Sequence, residues 1–570
     1  MDPHAATDPA GAQTTTTSER GGSVRQMHQV LLWPLRVMHR RATNEAGKSV
    51  PPWQQLRDMG AASPWREVVD EYTGDHAAFH ERHYSEFVTF LPYVQRFLYG
   101  EGRASRDADD DDGSGGSPMR VFRRHDIHQA RVVTHVGAAA QLLEIVHVDL
   151  YFFHDVDVVM LNLEVRSHDL TLAHAQELLY RFGRAYPARW DANGEALHCM
   201  HSVEWLGAGG EVLASSDAQQ RASFLAHVSE HRAPRFARHW AYLLEPLVPD
   251  HSERDGGLRY RQIEYYRMPM MAHLALDDPR ALTRADFVRL GLVTGAGGQG
   301  LDSGLPYAEQ HLQDFEQRYC YDRFWADAGA APNTRYLCSG HSLVVVGQAS
   351  SEFYLCRDRG VLAQFRHQHF LLFLIVHVQK AALLMFSDRL VEALKNLNVG
   401  NAGSVRRFKR NIRQSFEGFL RFTHRYWFHE ISEQVQVRAL SHLCATHLQL
   451  DPLYAEVKER IGEMNGYLDA DSLRRQANTV VRLTVVTIFG LIGTVTTGFL
   501  GMNLLAEADA SWPRRLTIFA VVFVPTVALT IYTMAKSKRL SDFLDALSDE
   551  QLSVWSKAKA FAAVWRRGGE

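Results

Sequence analysis

This chain of 570 residues has few cysteines and a small net charge. The cysteines are scattered, and none belongs to a Cys-x-x-Cys pair; they are Cys199, Cys320, Cys338, Cys356 and Cys444. This pattern excludes a disulfide framework and a zinc ribbon, and it suits a reducing compartment. The formal net charge is only −3, so no overall positive field favours nucleic acid as a partner.

Motifs of common enzyme classes are missing as well. The sequence contains no Gly-rich phosphate loop, no nucleophile elbow and no metalloprotease helix motif, so we do not expect an enzyme. Residues 1–23 are rich in Ala, Thr, Gly and Ser and have no apolar core, which predicts a disordered segment and not a secretory signal. The large N-terminal part is therefore expected in the cytoplasm.

Histidine is abundant, with 29 residues, and it is a common ligand of transition metals. Two short clusters, His198-Cys199-Met200-His201 and His367-Gln368-His369, could bind a metal ion. Neither has the full ligand set of a closed site, so a bias in composition explains them better.

Long charge-free runs occur only near the C-terminus. Leu483 to Leu500 is the first, and Leu516 to Ala535 is the second. At about 1.5 Å per residue they span roughly 27 and 30 Å as helices, which matches the hydrocarbon core of a bilayer. We predict two membrane-spanning helices; the alternative is a buried hairpin in a soluble core.

The charges beside these runs predict their orientation. The flanks carry Arg474, Arg475, Arg482, Lys536, Lys538 and Arg539, whereas the connecting loop carries Arg514 and Arg515. The excess of basic residues on the flanks places both termini in the cytoplasm, with the loop outside a plasma (inner) membrane. Glu507 and Asp509 in that loop are candidates for attracting cations.

The predicted fold class is an α/β (or α+β) cytoplasmic domain, then a long stalk helix and a two-helix transmembrane hairpin. The segments are a disordered 1–23, a cytoplasmic domain at 24–360 with an acidic flexible loop at 104–118, a helical cytoplasmic segment at 361–451, the stalk at 452–482, a first span at 483–503, an outer loop at 504–515, a second span at 516–535 and an amphipathic cytoplasmic tail at 536–570.

Several elements of the soluble part are predicted from periodicity. Leu142–Phe153 and Val156–Val165 form a strand hairpin, Thr171–Tyr186 a helix that stops at Pro187, and Ser342–Gln348 a strand. Two stretches leave a choice. Val24–Arg41 is expected as a strand or short helix covering the domain, or as a segment on the membrane surface. Phe370–Phe386 contains polar residues, which favours a core helix over a third span.

One face of the first span mixes small, hydroxyl and apolar side chains. Its members are Leu483, Thr487, Leu491, Thr494 and Gly498, at spacings of 4, 4, 3 and 4. Two spans cannot enclose a water-filled path, so conduction would require a symmetric oligomer with this face lining its axis. Packing of the helix pair explains the same stripe equally well.

The tripeptide Gly501-Met502-Asn503 closes the first span. With the long helix before it and a second span followed by basic residues, it resembles the CorA family of divalent-cation channels. The resemblance implies a funnel-shaped homopentamer that transports Mg²⁺, with Co²⁺ or Ni²⁺ as alternative substrates, and that has no covalent cofactor. It also implies an Asn503 ring at the outer pore mouth, a hydroxyl ring at Thr494 and apolar constrictions at Leu491 and Leu483.

The family also implies Mg²⁺ as a regulatory ligand of the cytoplasmic domain, for which the sequence gives no residues. Two departures concern the substrate: Leu500 replaces an aromatic residue, and the outer loop lacks an acidic Met-Pro-Glu-Leu turn. Mg²⁺, Co²⁺, Ni²⁺ and Zn²⁺ are all candidate substrates. The alternatives are a zinc transporter of the same family and a non-conducting membrane-anchored sensor or scaffold.

Overall fold

The chain divides into two compact units, Met1–Glu459 and Arg460–Glu570, in a computed structural model. The residues that the structure describes are 22–39, 50–68, 81–100, 117–253, 257–264, 266–296, 305, 307–395, 397, 402–501, 511–528 and 532. Residues 1–21 of the predicted disordered segment 1–23, most of the acidic loop 104–118 and the tail 536–570 lie outside them, while Ser23 already belongs to a strand.

The described strands all belong to the first unit. They are β1 Ser23–His39, β2 Trp65–Glu67, β3 Met119–Arg124, β4 Gln129–Val133, β5 Gln141–Phe153, β6 Val158–Thr171, β7 Arg189–Trp190, β8 Ala196–Leu197, β9 Ser202–Leu206, β10 Val212–Ser215, β11 Val248–Pro249, β12 Leu258–Gln262, β13 Met270–Leu276, β14 Cys320–Tyr321, β15 Arg335–Cys338 and β16 Ser342–Gln348.

Fourteen of these strands form one mixed sheet, whose main order is β10-β9-β4-β5-β6-β1-β13-β16-β15-β14. Most neighbours are antiparallel, while β13 pairs with β16 in parallel. The long β5–β6 hairpin turns at residues 154–157, as the sequence predicted. The predicted strand Ser342–Gln348 coincides with β16.

Strand β1 runs through the middle of this sheet. It pairs along its length with β6, and on its other side it pairs first with β13, up to Leu31, and then with β12, from Leu35. Pro34 lies where the partner strand changes from β13 to β12. Its missing N–H therefore interrupts no backbone hydrogen bond to either of these strands. The prediction of a strand for this segment is confirmed, but its predicted covering position was wrong, because β1 lies buried in the middle of the sheet.

The described helices follow the chain in this order. They are α1 Pro52–Asp58, α2 Glu81–Thr89, α3 Pro92–Tyr99, α4 Leu172–Arg181, α5 Arg221–His231, α6 Arg238–Leu244, α7 Arg284–Leu292, α8 Glu309–Leu312, α9 Phe315–Tyr319, α10 Glu352–Leu355, α11 Val361–Gln364, α12 Phe370–Lys395, α13 Ala402–Arg425, α14 Val435–His447, α15 Leu450–Gly501 and α16 at 512–528. A π-helical turn, Phe365–His369, joins α11 to α12.

Helices cover both faces of the sheet. On one face Trp33 of β1 packs edge-on against Trp240 of α6, within the main apolar core. On the other face Arg36 of β1 reaches Asp388 of α12. The first unit is thus an α/β domain followed by helices, and α12 to α14 belong to the same compact unit as the sheet.

Helix α4 ends earlier than its sequence pattern predicted. Its last residue is Arg181, although the apolar spacing continues toward Tyr186. At Gly183 the backbone comes so close to β1 that an added methyl group would lie 2.8 Å from Leu31. Gly183 also accepts a hydrogen bond from the N–H of Met268. The close approach to the sheet therefore ends the helix.

One helix among the described residues is long and apolar enough to cross a membrane, and it is Val361–Lys395. Most of its apolar stretch is buried in the first unit, as in the core helix of a soluble domain. The buried position of α12 agrees with the prediction of a core helix for Phe370–Phe386.

Candidate pore helix and a buried ion-pair cluster

The stripe of small, hydroxyl and apolar side chains lies exposed on the C-terminal half of α15. Leu483 and Leu491 are each about two thirds exposed, and Thr487, Thr494 and Gly498 are exposed as well. Other positions of the same helix segment, Val485 and Gly493, are buried. The stripe therefore has no covering partner among the described residues of the second unit.

Gly493 brings α15 close to α16. A methyl group at Gly493 would lie 2.7 Å from Cγ2 of Thr526, which is shorter than carbon atoms normally approach. Small residues permit such close contacts between helices in lipid. This contact lies on a different side of α15 from the exposed stripe.

Replacing Gly493 by valine is expected to separate this helix pair. Overpacking of this kind costs about 1–3 kcal/mol. The matched control is Gly490→Ala, since an added methyl group at Gly490 meets no atom within 4 Å. Thermal unfolding of the detergent-solubilised chain should shift downward for G493V, whereas it should stay the same or shift upward for G490A, because alanine favours a helix over glycine. Equal melting of G493V and the wild type would contradict the contact.

The threonines of this segment use their hydroxyl hydrogens within the helix. Thr484, Thr487 and Thr494 each donate to the carbonyl oxygen four residues earlier, at 2.9, 2.8 and 2.9 Å. A hydroxyl satisfied in this way tolerates an apolar surrounding. Its oxygen keeps a lone pair that can accept a hydrogen bond from water.

The predicted selectivity residues are only partly described. Gly501 is the last residue of α15. Met502, Asn503, Glu507 and Asp509 lie outside the described residues, so their roles stay predictions from the sequence.

A second polar centre lies within the first unit, and it was not among the predicted sites. Glu164 of β6 is buried, and its carboxylate accepts hydrogen bonds from Nε of Arg366 at 2.7 Å and from His28 at 3.2 Å. The guanidinium of Arg366 also lies 3.1 Å from Nε2 of His147. Arg366 belongs to the π-helical turn before α12, so this cluster ties that turn to the sheet.

The sequence does carry a signal for the cluster. Asn162 and Glu164 are polar residues two positions apart in the otherwise apolar run Val158–Val165. In a strand, residues two apart share a face, so a shared polar pocket is predictable there. The partner Arg366 lies 202 residues away and cannot be deduced from that pattern.

The charges of the cluster follow from its burial. Burial alone would raise the pKa of Glu164, but the hydrogen bond from His28 and the charge of Arg366 hold it at about 2. Burial lowers the pKa of His28, which keeps its ring neutral near pH 7. The neutral ring then donates from Nδ1 to Glu164 and accepts at Nε2 from the amide of Gln26, at 2.7 Å.

The low pKa of Glu164 predicts a loss of stability in acid. The ordinary value is 4.5, so the folded state gains stability above that pH and loses it as the pH falls toward about 2. The loss should be on the order of 3 kcal/mol across this window. Urea unfolding, followed by the fluorescence of the buried tryptophans, measures it. The variant E164Q lacks the titrating carboxyl group. If its free energy of unfolding fell with decreasing pH as steeply as that of the wild type, the assignment would be contradicted.

The histidine clusters make other contacts. His198 faces the hydroxyl of Tyr180 at 2.5 Å, and His201 lies 3.2 Å from Glu195. His367 lies 3.2 Å from Glu86. Across the described part of the chain, no three His, Cys, Asp or Glu side chains are arranged to hold a metal ion. No residues are therefore assigned to a regulatory Mg²⁺.

Comparison of the whole chain with models of known protein families, with characterised proteins and with solved structures finds no match.

Proposed function

We propose that this protein moves divalent metal cations, Mg²⁺ foremost, across a membrane through an axial pore lined by the C-terminal half of α15. The observation that carries the proposal is the exposed stripe from Leu483 to Gly498, which lies apart from the Gly493–Thr526 contact. It is supported by the resemblance of Gly501-Met502-Asn503 and its surroundings to the CorA family.

Membrane insertion is supported by the apolar surface of the second unit. On α16 the side chains of Leu516, Phe519, Val521 and Val524 are each more than half exposed. A soluble monomer rarely leaves so many large apolar side chains next to one another in water. A lipid surrounding covers them without any further protein, and the internally bonded threonine hydroxyls suit the same surrounding.

The pore itself requires several copies of the chain, because one helix pair cannot surround an axis. In a homopentamer, the arrangement that the resemblance implies, each copy would contribute one α15 stripe to the lining. Thr487 and Thr494 would present oxygen atoms toward the axis, while Leu483 and Leu491 would form apolar constrictions that close by dewetting.

Such a pore lining suits an ion that passes with its hydration shell intact. Mg²⁺ dehydrates reluctantly, so a pore that carries it must bind its hydration shell. The oxygens of Thr487 and Thr494 already donate their hydrogens within α15 and can accept from the ion's water molecules. The amide oxygens of an Asn503 ring would bind the hydrated ion in the same manner at the outer end.

The test of this function is Mg²⁺ entry into liposomes that contain the purified protein, with Co²⁺, Ni²⁺ and Zn²⁺ measured in parallel. Entry that requires the protein would support a channel, and the ion with the fastest entry would identify the substrate. Fastest entry of Zn²⁺ would favour a zinc transporter. No entry of any ion through folded, oligomeric protein would overturn the proposal in favour of a membrane-anchored sensor.

A further inference from the structure

We propose that the first unit binds anionic lipid headgroups through four arginines of α13. The arginine patch consists of Arg406, Arg407, Arg410 and Arg413, all of which are exposed. This surface goes beyond ion conduction, and it rests on the proposed function only for the presence of a membrane near the chain.

The patch lies opposite the buried side of α13. At 100° per residue its four positions fall within about a third of the helix circumference. The buried residues Phe408, Ile412, Phe419 and Phe422 lie on the other side, where Phe419 and Phe422 contact Phe386 of α12 at ring-centroid distances of 5.7 Å. Packing with α12 thus fixes the arginines outward.

These arginines lack acidic partners within the described part of the chain. None of the four is in an ion pair there, whereas Arg425, nearer the end of the same helix, pairs with Asp155 at 2.7 Å. The one acidic residue of α13, Glu417, lies four residues beyond the patch. The patch is therefore a concentrated positive charge on a chain whose net charge is −3.

Exposed apolar residues accompany the patch. Val391 and Leu394, on the last turns of α12, are 58% and 46% exposed. Phe386 contacts Phe419 and Phe422. Gln379, two turns earlier on α12, donates to the carbonyl oxygen of Tyr426 just after α13. The two helices are therefore antiparallel, so the end of α12 and the start of α13 lie at the same end of the pair. Both apolar residues therefore belong to the same end of the domain as the arginines.

This combination favours a lipid surface over other anions. Basic side chains attract the anionic headgroups of the cytoplasmic leaflet, while neighbouring valine and leucine side chains can enter the boundary of the acyl chains. Nucleic acid would gain nothing from the two exposed apolar side chains. We therefore assign the patch to anionic phospholipid, with Val391 and Leu394 as shallow apolar contacts.

The test is hydrogen–deuterium exchange of residues 402–413 in the full chain held in phosphatidylcholine nanodiscs. The same measurement is made with phosphatidylglycerol in the disc, and again with phosphatidylglycerol vesicles added to neutral discs, so that contact with either bilayer is detected. We expect exchange to slow at least about threefold in one of these two settings, with the protection lost at high salt.

Two variants complete the experiment. R406Q/R407Q/R410Q/R413Q should lose the protection, while R221Q/R232Q/R323Q/R359Q, which removes the same charge from exposed arginines elsewhere in the first unit, should keep it. Equal exchange with and without phosphatidylglycerol in both settings would overturn the proposal. Equal protection by duplex DNA would also overturn it, in favour of a nucleic-acid surface. Ion flux is not part of this readout, so the two proposals can fail separately.

Discussion

Replacing Asn503 by alanine is expected to lower Mg²⁺ entry into proteoliposomes at least tenfold, which corresponds to about 1.4 kcal/mol. The physical reason is the loss of amide oxygens that would bind the hydrated ion at the outer end of the pore. Each copy in a homopentamer would lose the same group, so the whole ring disappears with one substitution. The measurement is the initial rate of Mg²⁺ entry at equal amounts of incorporated oligomer.

The matched control for this variant is Asn465→Ala. Asn465 is also an asparagine of the second unit, where it lies on α15, and its amide contacts Asp469 at 3.4 Å in an exposed position. This control should conduct like the wild type, because its side chain lies far along the helix from Gly501. Wild-type rates in N503A, from protein that conducts at all, would show that ion selection occurs elsewhere.

Replacing Glu164 by glutamine should strongly destabilise the first unit. The substitution leaves the guanidinium of Arg366 without its carboxylate in a largely buried position, which costs about 3–5 kcal/mol. The surrounding apolar side chains cannot solvate the unpaired guanidinium charge. The expected result is a lower urea midpoint at pH 7, measured by tryptophan fluorescence, to which the buried Trp33, Trp205 and Trp240 contribute.

Glu204→Gln is the control for this variant. Glu204 lies on β9 of the same sheet and also pairs with an arginine, Arg131 of β4, but both side chains are partly exposed, at 31% and 43%. Such solvent-accessible pairs contribute about 0–1 kcal/mol, so E204Q should unfold close to the wild type. Equal effects of E164Q and E204Q would mean that the buried cluster gives no more stability than a surface pair.

Local sequence patterns correctly predicted those elements whose pattern of apolar residues follows from the element itself. The strand at Ser342–Gln348 was predictable because it is apolar throughout, and it lies between neighbours on both sides. The predicted stalk helix at 452–482 and the predicted helix that begins at 483 are found as one helix, Leu450–Gly501, in which no proline follows Pro452. Such elements depend on nearby residues alone.

Long-range pairing could not be predicted in the same way. The position of β1 depends on partners in β6, β12 and β13, none of which its own sequence specifies. The Glu164–Arg366 contact could not be predicted for the same reason, because it joins residues 202 positions apart. For the candidate pore, the spacing of the stripe was predictable, whereas its exposure required the position of Gly493 against Thr526.

The central position of β1 has a consequence for synthesis of the chain. The strand leaves the ribosome first among the described strands, yet β13 begins about 230 residues after its end. At 5–20 residues per second, the apolar segment Val30–Leu35 waits roughly 10 to 50 s before both neighbours exist. During that time it is an unpaired hydrophobic strand, which chaperones recognise and which promotes aggregation. The yield of folded protein should therefore depend on how this one segment is shielded while the ribosome completes the sheet.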